Sequence, residues 1–143
     1  SPHITRGLRS GDDLASAPPA SGVQLIRPAI AQTVLNWMET VVEKGSGRGV
    51  QIPGHRIGGK TGTAQKARNG VYVSGAKITS FIAHLPINKP RYVVLVVVDE
   101  PKGENAYGST VAVPVAKQII EALLVLEKIP PSRSVPTTAR QSS

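Results

Sequence analysis

The sequence predicts an α+β fold, a three-stranded antiparallel meander flanked by two amphipathic helices. Three observations carry that expectation. Apolar residues recur at helical spacing in an early and a late segment, three β-rich runs lie between them, and the links joining those runs are short and turn-forming. At 143 residues the chain has the length of about one ordinary domain.

Taken in order, residues 1–27 read as an irregular lead-in. Ser, Gly, Pro and Ala dominate it, Pro18-Pro19 excludes regular helix, and only Ile4 suggests a short extended piece. Pro28 suits a first helical turn, where its missing N–H would be unpaired anyway. Ile30, Val34, Trp37 and Val41 follow at helical spacing, with Met38 and Val42 beside them, until Gly45 stops the run. This predicts a helix over 28–44 with Trp37 and Met38 packed in the core. Gly45 to Gly54 reads as a turn-rich connector.

The strands are expected at about 55–66, 78–85 and 91–100. His55 to Lys66 sets Thr and Ile among glycines that let another backbone approach, and Asn69-Gly70 is a hairpin turn signal. Pro86 closes the second run, and Asn88-Lys89-Pro90 links it to the third. Tyr92 to Val98 is apolar on both faces, which places it in the middle of a sheet with cover above and below. A second helix is expected over 110–128, with Val115, Ile119, Ala122, Leu123 and Leu126 as its apolar stripe. Pro114 is tolerable only near its first turn, and Pro130-Pro131 end it. The body of the domain is therefore 28–128, and 129–143 reads as a disordered polar tail.

Composition narrows the function. Seventeen Lys and Arg against nine Asp and Glu give a net charge of +8, which suits nucleic acid, an anionic membrane surface or an anionic substrate. One Trp, one Phe and three Tyr leave few platforms for stacking bases, so nucleic acid is disfavoured as a partner. With no cysteine, thiol nucleophiles, disulfides and zinc ribbons are excluded. His3, His55 and His84 lie far apart without ligand spacing, so neither metal nor cofactor is expected. The longest apolar run, Val93 to Val98, is far below the roughly 20 residues that cross a bilayer. Ser1 is not an initiator and Met38 is the only methionine, so the chain reads as a piece of something longer, with any membrane anchor outside it.

Two readings compete for Gly54-His55-Arg56-Ile57-Gly58-Gly59-Lys60-Thr61. As letters it satisfies the phosphate-loop pattern G-x-x-x-x-G-K-[ST], with Asp99 placed to handle magnesium. A phosphate loop needs an apolar strand before its first glycine and a helix starting at its Lys-Thr. Here Pro53 precedes it, while Gly62 and Asn69-Gly70 follow. The second reading makes Lys60-Thr61-Gly62-Thr63 a strand beside an acyl-transfer site. Lys60 supplies a positive charge near a nucleophile, the short hydroxyls bind a substrate carboxylate, and Gly62 lets an extended substrate lie against the strand.

K-T-G alone is weak, but several segments stand with it in order. They are Gly58-Gly59-Lys60-Thr61-Gly62-Thr63-Ala64-Gln65-Lys66, then Ile78-Thr79-Ser80-Phe81, then Arg91 to Gly103 and Tyr107 to Val115, preceded by Val42-Glu43-Lys44-Gly45. Together, over roughly Pro28 to Leu126, they resemble the C-terminal part of the transpeptidase domain of class B penicillin-binding proteins, most like the division-type enzymes. The resemblance implies a serine β-lactamase/transpeptidase-like fold. It also implies D,D-transpeptidase activity in peptidoglycan synthesis, with the D-Ala-D-Ala stem peptide as substrate and β-lactams as inhibitors. Divisome membrane proteins would be partners, and the outer face of the bacterial plasma membrane the location.

By position, the resemblance makes Lys60 the catalytic strand lysine. Thr61, Gly62 and Thr63 become substrate-binding residues, and the Thr63 backbone N–H an oxyanion donor. It also implies a nucleophile motif S-x-x-K at a helix start and a motif S-x-N. No S-x-N occurs in the chain. Ser74-Gly75-Ala76-Lys77 has the spacing of the first, but twelve Ser and eight Lys give about 0.7 chance matches, and it follows K-T-G in a hairpin. The chain alone is thus expected to be inactive and poorly stable, the edge of its last strand lacking the N-terminal strand that the family supplies. A phosphate-loop nucleotide binder and a non-catalytic binding module are the alternatives.

Overall fold

The computed structural model describes residues 7–10, 13–16 and 22–133. Two compact units are present, 1–31 and 32–143. In the first, β1 (Gly7–Ser10) and β2 (Asp13–Ser16) pair as a short antiparallel hairpin, Leu8 opposite Ala15, where composition predicts irregular chain. Ile4 and Pro18-Pro19 lie outside the described residues.

α1 spans Pro28–Lys44, the range its periodicity predicts. Its buried side differs from the expected one. Ile30, Val34 and Trp37 are exposed, Trp37 by 66%, whereas Glu39 and Val42 are buried. The helix lies against the strand start at Gly58, where an added Cβ would fall 3.1 Å from the Glu39 nitrogen and 3.2 Å from the Leu35 carbonyl oxygen. Glu39 can take the buried position because two arginines neutralise it. Arg56 donates from Nε and Nη2 to its two carboxylate oxygens at 2.8 and 2.6 Å, and Arg133 Nη2 donates to Oε1 at 2.6 Å. Apolar spacing cannot foresee a paired glutamate.

Three strands follow, β3 (Gly58–Arg68), β4 (Val71–Leu85) and β5 (Tyr92–Asp99), in the antiparallel order β3-β4-β5. The turn at Asn69-Gly70 places both residues at positive φ, 51° and 78°, the mirror-turn geometry that suits right-twisted strands. β4 begins at Val71, seven residues before the expected strand, because the hairpin arms continue as far as the turn with one register shift between Gln65 and Ala67. β5 occupies an edge rather than the middle of the described sheet. Val94 and Val96 are buried, but Val93, Leu95 and Val97 are each more than half exposed.

A single π-helical turn (Gly108–Ala112) leads into α2 (Val113–Leu126). The buried stripe of α2 is Val113, Ala116, Ile120 and Leu124, one position out of phase with the expected stripe; Val115, Ile119, Ala122 and Leu126 are exposed and Leu123 is half-buried. The helix is apolar on most of its circumference, so two stripes satisfy the spacing, and packing on the sheet buries one of them. The core beneath it gathers Phe81, Ala83, Leu85, Val94, Val96 and Val50. Gly108–Leu126 is long and apolar enough to cross a membrane by length and composition, and one stripe of it, Val113, Ala116, Ile120 and Leu124, packs in the core. Residues 129–133, assigned by composition to a disordered tail, are docked. Ile129 is buried, the Ser132 and Arg133 amides donate to the Gly54 carbonyl at 2.8 and 3.0 Å, and Ser132 Oγ accepts from the Arg56 amide at 2.9 Å. The tail from 134 on lies outside the described residues.

Candidate active site

Lys60 to Thr63 lie in β3, which among the described residues has a strand partner on one side only. Alternate amides of such a strand therefore point outward along a free edge. No helix begins at Lys60-Thr61, so the phosphate-loop geometry is absent from Gly54–Thr61. Asp99, the acid that reading reserves for magnesium, pairs instead with Lys66 Nζ at 2.9 Å.

The strand's period of two divides the four residues between its faces. Lys60 and Gly62 project to one side, Thr61 and Thr63 to the other. Lys60 is exposed; its Nζ donates to the Thr61 carbonyl at 2.8 Å, and no carboxylate pairs with it among the described residues. Thr61 is half-buried, with its Oγ1 2.7 Å from Ser46 Oγ. Thr63 is exposed, and its Oγ1 accepts the Gly108 N–H at 3.1 Å. A Cβ on Gly62 would lie 2.5 Å from Ser80 Oγ, a hydroxyl that can rotate aside, so the position is tight without excluding a side chain.

Sequence reasoning missed three contributors. Ser46 was hidden in a connector, and its glycine neighbours were the only local signal. Gly108 stands at the start of the π turn, 2.6 Å from the Ser80 carbonyl oxygen and 2.8 Å from the Gly62 carbonyl oxygen when given a Cβ. Tyr107, just before it, carries the Lys77 ammonium over its ring at 4.6 Å. Ser74, the spurious S-x-x-K serine, sits exposed in β4 and not at a helix start.

The strand is anchored beyond the site by charge. Lys66 bonds Asp99 and Glu100, and Arg68 bonds Glu100 at 2.8 Å, so the far part of β3 is tied to the end of β5. The Glu100 and Asp99 carboxylates hold the Lys66 pKa above its ordinary value, and Lys66 and then Arg68 hold that of Glu100 below its own. A cavity of about 490 Å³ opens elsewhere, lined by Glu39, Gln51, His55, Lys117 and Arg133 among others and by none of Lys60 to Thr63. The candidate site is thus an open strand edge with a cation and two hydroxyls, suited to an extended anionic ligand. Among the described residues no three His, Asp or Glu side chains gather around a possible ion.

Comparison with known proteins places the chain in a family. The sequence matches the profile of the penicillin binding protein transpeptidase domain over residues 1–121. It is 46% identical over 115 residues to a peptidoglycan D,D-transpeptidase FtsI homolog of Mesostigma viride, covering 80% of this chain and 19% of that protein. Its fold resembles the transpeptidase domain of Burkholderia pseudomallei penicillin-binding protein 3, with a TM-score of 0.69 and 31% identity, over 88% of this chain and 37% of that one. It also resembles penicillin-binding protein 3 of Mycobacterium tuberculosis complexed with ampicillin, with a TM-score of 0.71 and 25% identity, over 85% of this chain and 29% of that one. The chain therefore spans about a fifth of the length of the curated relative.

Proposed function

The chain belongs to the penicillin-binding-protein transpeptidase family, and from that premise we propose that β3 lines a serine D,D-transpeptidase centre for peptidoglycan cross-linking. The observation that carries this reading is one strand at the edge of the described sheet that bears two hydroxyls on one side and, on the other, an exposed ammonium that pairs with no carboxylate among the described residues. Such an edge can pair with an extended stem peptide, while the hydroxyls donate to its terminal carboxylate.

In this reading Lys60 places its charge beside the nucleophile and the anionic substrate. Thr61 and Thr63 donate to the carboxylate of the D-Ala-D-Ala end, or of a β-lactam, and Gly62 keeps the strand free of obstruction. The Thr63 backbone N–H is one oxyanion donor, a contribution of about 3 kcal/mol to the transition state. In this reading Ser74, exposed in β4 and not at a helix start, is not the attacking serine. The whole protein works at the outer face of the bacterial plasma membrane, in cell division with divisome membrane proteins, and nucleic acid is not a partner. The net charge of +8 favours an anionic envelope.

Fluorescent penicillin tests the reading. The whole gene product that carries this chain should label covalently, with Lys60→Ala and Thr61→Val each lowering the labelling rate at least tenfold. Wild-type protein without label, or variants labelled as fast as wild type, would refute it. Residues 1–143 alone should take no label, and labelling that Ser74→Ala abolishes would reverse the assignment of the nucleophile.

A further inference from the structure

Ser46 lies in the turn after α1, fifteen residues before the threonine it bonds. Ser46 is exposed there, but the turn is tied to the end of α1. The Gly45 and Gly47 amides both donate to the Val41 carbonyl, at 3.0 and 3.2 Å, and the Gln51 side chain caps the Val42 and Glu43 carbonyls at 2.7 and 3.0 Å. Gly47 is pressed into the core, where a Cβ would lie 3.2 Å from Val42 Cγ2 and 3.4 Å from the Phe81 ring. Phe81 is the strand partner of Thr61, so Ser46 and Thr61 share one rigid support.

The proton count gives this contact a consequence. Two hydroxyls 2.7 Å apart use one O–H between them and keep one for an outside acceptor. Thr63 is prepared in the same sense, because Oγ1 already accepts the Gly108 N–H and its own proton must point elsewhere. The Ser46–Thr61 pair and Thr63 therefore each present one O–H donor on the same side of β3, a set that suits a carboxylate.

We propose that Ser46 is a positioning residue of this site, holding the Thr61 hydroxyl so that the pair donates one O–H to the terminal carboxylate of the acyl donor. The inference rests on the reading of β3 given above. Polarisation along the pair strengthens the outward donor, and loss of Ser46 leaves Thr61 free to rotate to water.

The test uses the whole gene product with Ser46→Ala, Ser46→Thr, Thr61→Val and the double variant Ser46→Ala/Thr61→Val. Acylation rates are measured by mass spectrometry with benzylpenicillin and with its methyl ester, whose carboxylate is capped. Ser46→Ala should lower the benzylpenicillin rate about five- to tenfold, the scale of one neutral hydrogen bond. Ser46→Thr should restore it, the double variant should be no slower than Thr61→Val alone, and the ester rates of wild type and Ser46→Ala should differ less than twofold. Equal losses with both ligands, additive losses in the double variant, or no loss in Ser46→Ala beside a clear loss in Thr61→Val would each overturn the role of Ser46 and leave the reading of β3 standing. A wild-type protein that is not acylated, or a Thr61→Val variant as fast as wild type, would bring down that reading and this inference together.

Discussion

Glu39 shows how much one buried charge can organise. Its carboxylate joins α1 to the segment before β3 through Arg56 and to the docked strap through Arg133, which also pairs with Glu43. The hydrogen bonds from Arg56, followed by the charges of Arg56 and Arg133, outweigh burial and hold the Glu39 pKa below 4.5. A carboxylate whose folded pKa is depressed adds stability above its unfolded value, and that stability is lost as pH falls through the folded value. Denaturant unfolding should therefore show stability falling below about pH 4.5, and Glu39→Gln should flatten this limb. At pH 7 the same variant should cost about 2 kcal/mol, from broken charge-assisted bonds in a largely buried setting. A Glu39→Gln protein with an unchanged acid limb would show that the cluster adds nothing. Neither partner was legible from sequence, since Arg56 and Arg133 lie 17 and 94 residues away from Glu39.

The two helices and three long strands were legible in kind, but the β1-β2 hairpin, the first half of β4 and the buried sides of the helices were not. The phase of α2 is open to a direct test. Ile120→Ala should cost about 2–4 kcal/mol, whereas Ile119→Ala, on the exposed side, should cost less than about 1 kcal/mol. Equal losses would restore the stripe that spacing alone suggests. The π turn is the second test. A methyl group on Gly108 would meet two backbone oxygens, which cannot swing aside as a side chain can. Gly108→Ala should therefore lower stability by about 1–3 kcal/mol and, by moving the amide off Thr63, slow β-lactam acylation of the whole gene product. A normal acylation rate in a stable Gly108→Ala protein would show that the turn does not support β3. The turn escaped sequence reading because one wide turn before Pro114 leaves no periodic trace.

At the scale of the whole molecule, the described sheet is finished on one face and open on the other. Phe81, Ala83, Leu85, Val94 and Val96 are sealed in the core, while Val93, Leu95 and Val97 face outward on a strand with a free edge. An apolar edge of this kind is a template for pairing. The 143 residues in isolation should self-associate, with a sedimentation coefficient that rises with concentration, and Leu95→Lys should reduce the effect. A concentration-independent monomer would show that the edge is already protected. The sequence by itself determined what depends on neighbours along the chain: where α1 begins and ends, the Asn69-Gly70 turn, the strand runs and the Lys60 to Thr63 motif. Only the tertiary structure decided which sides of α1 and α2 are buried, and that Ser46 and Gly108 complete the hydroxyl pair. Periodicity fixes spacing within an element, but the choice of face and of partners across 15 or 45 residues is made by packing energies that no local pattern contains.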